Sequence, residues 1–444
     1  MQSRIFFAGA VFVLSLAAHA ADFRLESAGS GGAVTWSGAF TAGVCNVQTA
    51  PTPFGPWMPR KNLFTSNELG GASIPLSPSN TFCRLLSVDI STNTPRHYTN
   101  LLESYGILET VAGNGASNSD VSQWQPSFEG AWATNVSLSR PHIAFGDAAG
   151  NVLIVDQRSS SVLKVTPEGR LHTYAGTHGT NFNGDGPAPA TNLALCNPNG
   201  GWLRADGTFY VLDTANRKVR RIDTNQIMTT LFTAPTPMGD GRALWVKSDE
   251  SLVYFGSGTS SNEASSAATA TILRKWTPTG GVATVRTGFG ELGNIVGNED
   301  TGDLYISDRT ACRVYRMDTN NTLFTIAGNG TATGSGGEGA YATNTSLNLP
   351  RSIWFIPNGG YFISEHDPGN RIWYVDPAGI IHRWMNGSGA NHQRVGDGQW
   401  FYANPTVPKI SRVRAVNTAP NGDLIITESN YGYVRRIRFL RLTP

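Results

Sequence analysis

A unit of roughly 50 residues recurs along this chain, and that repeat limits the fold more than any other feature. Leu323–Asp376 runs from a glycine-rich loop, through a proline and an apolar run, to an Asn-Gly-Gly turn. A second apolar run then closes on an acidic residue, and Asn-Arg-Ile opens a third. Leu171–Asp223 repeats the same order. The second and third runs align as NVLIVDQRSSSVLKV, TFYVLDTANRKVRRI, DLYISDRTACRVYRM, GYFISEHDPGNRIWYV and DLIITESNYGYVRRI. A degenerate sixth, SLVYFGSG with TILRKW, carries an insertion from Thr259 to Thr271. Short apolar runs bounded by Gly, Pro and Asn are strands. No single unit can bury its own sheet, so the six copies predict an all-β chain built as a six-bladed β-propeller. The last copy stops after its third run, YVRRIRFL. The spare run GILETVAGNG (Gly106–Gly115) stands before the first copy and matches the fourth runs LHTYAGTHG and LFTIAGNG. It is expected to complete the last blade, tying the ring shut and removing an exposed edge.

Composition agrees. With 50 Gly, 24 Pro and only 15% charged residues, the chain suits many strands and tight turns better than helical bundles. A net charge of +2 gives no electrostatic footprint for nucleic acid. The N-terminus reads as a signal peptide over residues 1–20: Arg4, the apolar Ile5–Ala18, then Ala18-His19-Ala20 as the cleavage site. That apolar run is short of the ~20 residues needed to cross a bilayer, so no membrane span is expected. The mature protein is expected to be secreted, periplasmic or at the cell surface. Residues 21–90 show alternating runs bounded by Gly, Pro and Ser, the pattern of a small β-sandwich. Residues 91–105, polar with Pro95, read as a linker, and residues 106–444 as the propeller. Export permits disulfides, and Cys45 and Cys83 are the expected pair, with Cys196 and Cys312 left as thiols.

YVLDTANRKVRRID, YISDRTACRVYRMD and the loop AGTHGTNFNGDGPAPATNLALCNPNG resemble NHL-repeat propellers, and the resemblance covers essentially everything after the linker. It implies the fold and not an activity, since that family ranges from protein-binding modules to lyases and other enzymes. The Tyr254-Phe255-Gly256 blade lacks the acidic residue and departs most from the pattern. The run from Trp36 to the FCRLL segment resembles the fibronectin type III or immunoglobulin-like modules that precede many exported β domains.

The residue two before each inner apolar run is His142, Asn199, Arg242, Asn294, Arg351 or Arg412. Such a ring is expected around the top of the channel, where its arginines suit an anionic or hydroxyl-rich ligand. Trp124, Trp132, Phe182, Trp400, Phe401 and Tyr402 stand in entry loops and are expected to stack on a sugar or a partner. Two acidic sets, Asp156, Asp213, Asp308, Glu365 and Glu428, and Glu129, Asp185, Asp240, Glu338 and Asp397, repeat in blade after blade and read as loop-fixing groups. No catalytic residue is assigned, and no metal or cofactor is expected. Calcium in the oxygen-rich loops and zinc at channel histidines are the alternatives. One NHL-like lyase holds zinc through three histidines, a set this ring lacks. The expected role is a binding module whose top face takes an extracytoplasmic protein or glycan. The alternatives are a lyase or hydrolase acting at the channel mouth with metal assistance, and a structural component.

Overall fold

The computed structural model describes residues 13–17, 23–28, 32–74, 82–117, 121–236, 238, 242–258 and 269–440. Most of the predicted leader lies outside them, although Val13–Ala17 pairs in parallel with Phe82–Asp89.

The expected propeller is present. Among the described residues six sheets follow one another in sequence, each running from an inner strand outward and antiparallel apart from the short Ile410–Ser411 pairing at the edge of the fifth. Their inner strands are Pro141–Gly146, Gly200–Leu203, Leu244–Val246, Leu292–Gly297, Pro350–Phe355 and Val413–Thr418, here blades 1 to 6. The sixth blade takes its outermost strand, Leu108–Ala112, from before blade 1, in register with Val434–Ile437. The ring is therefore closed by strand pairing, as the spare run implied. Fully buried Val, Ile, Leu and aromatic side chains fill the spaces between neighbouring blades. One glycine makes the closure fit: Gly113 has φ +94°, and a Cβ there would lie 1.8 Å from the Gly432 carbonyl oxygen. Gly176 and Gly328 occupy the same place in blades 1 and 4, each after an Ala that ends the outer strand.

The N-terminal unit contains two sheets, one of Arg24–Ala28, Ala33–Ser37 and Gly70–Ser73, the other built on Gly43–Ala50, Met58–Thr65 and Phe82–Asp89. Phe23, Val34, Trp36, Val47, Ile74 and Leu85 share one core between them. The expected Cys45–Cys83 disulfide is not formed, and both are buried free thiols. The strand register explains why: Cys45 lies opposite Ser87 and Cys83 opposite Thr49. An offset of four residues spans roughly 13 Å of strand, about twice the Cα separation a bridge tolerates. Burial pushes the Cys45 thiol up to about 12 and the Cys83 thiol up to about 11, which keeps both protonated and inert.

The stretch expected as a linker instead forms a helix, His97–Ser104. Tyr98, Leu101, Leu102 and Tyr105 recur at the spacing of one helical face, a stripe that the flanking polar residues mask in the sequence. That face packs on Trp384, Phe401 and Ile410 of the fifth-blade segment, in one core with Val44 and Ile90. Burying Leu101 and Tyr105 contributes about 2 kcal/mol each. The two parts of the chain are thus joined by a shared core. Lys61–Phe64 also face the bottom turns of the ring across a cavity of about 1070 Å³, and Phe64 stacks on Phe439 at 4.3 Å.

Candidate functional site

Each inner strand enters the ring at its top end, beside the loops that join second to third strands. In blades 1, 4, 5 and 6 the pairing slips by one residue at that entry. Pro141 faces Asp156 and Ile143 faces Val155, so His142 is the extra residue. Arg351 and Arg414 are the extra residues at the matching slips. A bulge of this kind re-aims one side chain out of the sheet. Here it delivers His142, Arg351 and Arg414 to the channel, all buried.

One member of the expected ring is corrected. Arg412 lies two residues too early, takes φ +47°, and turns toward Asp367 at 3.6 Å, a third exposed. Arg414 occupies the channel position. Asn294 reaches the interior but is consumed in structure: its side chain accepts from Ile353 N at 2.7 Å and donates to Ile353 O at 3.1 Å, tying blade 4 to blade 5. Asn199 accepts from Gln157 Nε2 at 2.6 Å.

Sequence reasoning missed the group that organises the rest. Glu291 receives Arg351 Nη1 at 2.9 Å, Arg242 Nη1 at 3.3 Å and Arg309 Nη1 at 2.5 Å. Burial would push the Glu291 carboxyl up, but Arg351, Arg242 and Arg309 outweigh it and hold the group below the usual range. Three guanidinium groups thus share one carboxylate. His366 was also missed as a channel residue. Arg309 and His366 directly follow the acidic residues Asp308 and Glu365, and the same position holds Gln157, Thr214 and Ser429 in other blades. That offset was readable as a second ring of mouth residues.

His142 is buried, and neither ring nitrogen has a hydrogen-bond partner among the described residues. Its pKa lies well below 6.5, first through burial and then through Arg414, Arg242, Arg140 and Arg351. His366 is lowered in the same way by burial, Arg414, Arg351, Arg242 and Arg309, and its Nδ1 has no partner among the described residues. Two neutral imidazoles therefore stand among arginines, with unused donor and acceptor positions. A buried polar atom without a partner costs about 1–3 kcal/mol, which a ligand group can recover.

Three residues further along each inner strand lies a second layer: Phe145, Trp202, Trp245, Gly297, Trp354 and Asn417. Trp202 of blade 2 meets Trp354 of blade 5 at 5.7 Å, and Phe145 meets both at 6.5 and 6.2 Å. Blades 2 and 5 stand opposite each other, so these rings floor the channel. Gly297 makes room for the Trp245 indole, which a Cβ would meet at 2.4 Å. The channel is thus lined by a buried, arginine-rich polar layer with an aromatic layer beneath it, and Phe145 and Trp354 of that second layer also line the cavity facing Lys61–Phe64.

The expected loop aromatics do not gather at the mouth. Phe401 is buried against Trp384 in the core, and Tyr402 packs beside it. Trp132 lies over Arg170 at a bottom turn, and Trp400 pairs with Ile107 at the ring closure. Phe182 lies over Lys218. Trp124 stacks on His178 at 3.8 Å, and His178 is further held by Thr173 and Ser159. Their sequence positions were loops, but these loops fold back on the outer strands.

Both acidic sets do hold loops. Ser139 N donates to Asp156, Cys196 N to Asp213, Glu291 N to Asp308, Asn348 N to Glu365 and Ser411 N to Glu428. Glu129 and Glu338 accept from the outer strands at Thr173 N and Arg383 N, and Asp397 pairs with Arg435. Asp240 lies outside the described residues.

The buried histidines give stability a pH dependence of known sign. The unfolded chain protonates them near 6.5, whereas the folded chain does so only well below. The unfolded state therefore binds more protons as pH falls below 6.5, and each histidine removes up to about 1.4 kcal/mol per pH unit. Asp156 and Asp213, pushed up to about 6 by burial, act in the opposite direction. A His142→Gln/His366→Gln variant is expected to gain stability relative to wild type on acidification from about pH 6.5 to 5. Urea unfolding at several pH values checks this, and parallel curves for the two proteins would contradict it.

No family model and no curated protein matches this sequence. Among solved structures, it is similar to a structural genomics protein of unknown function from Bacteroides thetaiotaomicron, at 11% identity and a TM-score of 0.55, over 94% of this chain and 98% of that one. It is also similar to an auxiliary nutrient binding protein from Bacteroides ovatus, at 11% identity and 0.52, over 94% and 98%. Another auxiliary nutrient binding protein, from Bacteroides thetaiotaomicron, aligns at 10% identity and 0.50, over 94% and 97%. At such identities the likeness is one of fold: this chain is a β-propeller protein whose N-terminal unit and ring are matched together.

Proposed function

We propose that this chain is an exported binding protein that holds an acidic ligand, a carboxylated sugar or the acidic end of a glycan, at the top of its channel. One observation carries the reading: His142, buried and without partners for either nitrogen among the described residues, stands among Arg242, Arg351 and Arg414. Guanidinium groups suit a carboxylate, and neutral imidazoles suit hydroxyls. The neighbours called auxiliary nutrient binding proteins support a small nutrient as the ligand. The N-terminal unit, read as a fibronectin type III-like sandwich, would act as a spacer, and the ring as an NHL-type propeller. The predicted leader supports an extracytoplasmic location.

A second reading has its own observation. His142 and His366 are neutral beside arginines, the state a general base needs in a lyase or hydrolase.

A thermal-shift screen separates these readings. Glucuronate and galacturonate are expected to raise Tm, whereas glucose and galactose leave it unchanged. A shift with neutral sugars alone, or with neither class, would overturn the acidic-ligand reading. Disappearance of an unsaturated or hydrolysable uronide during incubation, lost in His142→Gln, would move the assignment to an enzyme.

A further inference from the structure

The strongest unused cluster lies away from the channel, where the helix His97–Ser104 meets the outer part of blade 5. We propose that His97, Asp376 and His382 form a zinc site that clamps this helix to the ring. Asp376 closes the turn before the strand Ile381–Ser388, His382 is the second residue of that strand, and His97 is the first of the helix. His97 Nε2 lies 2.9 Å from Asp376 Oδ2, and His382 Nε2 lies 3.3 Å from the same oxygen. The three candidate donor atoms all fall within 4.8 Å of one another. Two imidazoles and a carboxylate leave a fourth position for water, a donor set suited to zinc.

The surrounding bonds prepare these atoms for a cation. His97 Nδ1 is 2.9 Å from the Thr94 carbonyl, which can only accept, so Nδ1 carries the proton and Nε2 presents a lone pair in the neutral ring. His382 Nδ1 is 3.1 Å from Glu338 Oε1, which fixes the same tautomer there. Asp376 Oδ1 accepts from Ala378 N and Ile380 N, leaving Oδ2 directed at both rings. Each neutral histidine thus turns a lone pair toward a carboxylate oxygen, a contact that repels unless each ring takes an extra proton or a cation sits between them. Histidines whose other nitrogen donates to a carboxylate or carbonyl are the usual outer arrangement of a metal site. Tyr98 stacks on His382 at 4.1 Å and holds its plane. Asp376 is almost fully covered, with His97 17% and His382 12% exposed, so a small ion can enter while bulk water is largely excluded.

The site joins two elements far apart in sequence, so the ion would stabilise their junction. The test uses the full tag-free chain, stripped with chelator and titrated with zinc chloride. Wild type is expected to bind zinc at this site, and Tm is expected to rise with it. Cobalt at the same site is expected to give visible ligand-field bands. His97→Gln and His382→Gln are expected to weaken binding at least about 100-fold, and Glu338→Gln, which keeps all three ligands, by about 10–100-fold. Circular dichroism confirms that each variant is folded. Failure of wild type to bind zinc, or unchanged affinity and cobalt bands across the folded variants, would overturn the proposal.

Discussion

Glu291→Gln is expected to destabilise the ring by about 3–5 kcal/mol at low salt, because it leaves Arg242, Arg309 and Arg351 without the charge on which they converge. Glu291 is buried, so water cannot replace the carboxylate. The effect has a second signature. If the channel is an anion site, phosphate or glucuronate restores part of the lost stability by supplying the missing charge, whereas neutral osmolytes do not do so selectively. Urea unfolding of the variant with and without each anion measures both. A loss below about 1 kcal/mol would show that the arginines are satisfied elsewhere.

The ring closure gives the second large effect. Gly113→Val places a Cβ into the Gly432 carbonyl and forces a branched residue into the left-handed region. The outer strand of blade 6 cannot then reach its register with Val434–Ile437. A loss of about 3 kcal/mol or more is expected, with blades 1 and 6 losing amide-exchange protection first. Gly130→Ala is the control: Gly130 also has positive φ, but nothing lies near its Cβ. Equal losses in the two variants would show that backbone strain, and not the closure, sets the effect.

These two residues mark what the sequence revealed. The closure was legible because Val-Ala-Gly before blade 1 copies the Ala-Gly endings of other outer strands, and strand pairing follows pattern. The loop-fixing acids were legible for the same reason, since they recur at one offset. Arg414 was not, because Val413 stands where blades 1 and 5 have Pro141 and Pro350, so the apolar run begins to be counted two residues too early. Counting back from the apolar run pointed to Arg412. Glu291 has no counterpart in other blades, so a search for repetition passes over it. The helix at His97–Ser104 carried its apolar spacing openly, but Pro95 and the polar residues around it drew the stretch toward a linker. The loop aromatics were placed on the right loops, while the direction of each ring depended on outer-strand contacts that no local pattern encodes.

The corrected ring supplies the most direct test. Isothermal titration of glucuronate into wild type, Arg414→Ala and Arg412→Ala compares two nearby arginines, one at the bulge and facing the channel, the other before it and turned to Asp367. Saturable binding is expected in wild type, reduced at least about tenfold in Arg414→Ala through loss of a charge-assisted contact, and within about twofold of wild type in Arg412→Ala. Absence of binding in wild type, or equal affinity in Arg414→Ala, would contradict an anion site at the top of the channel.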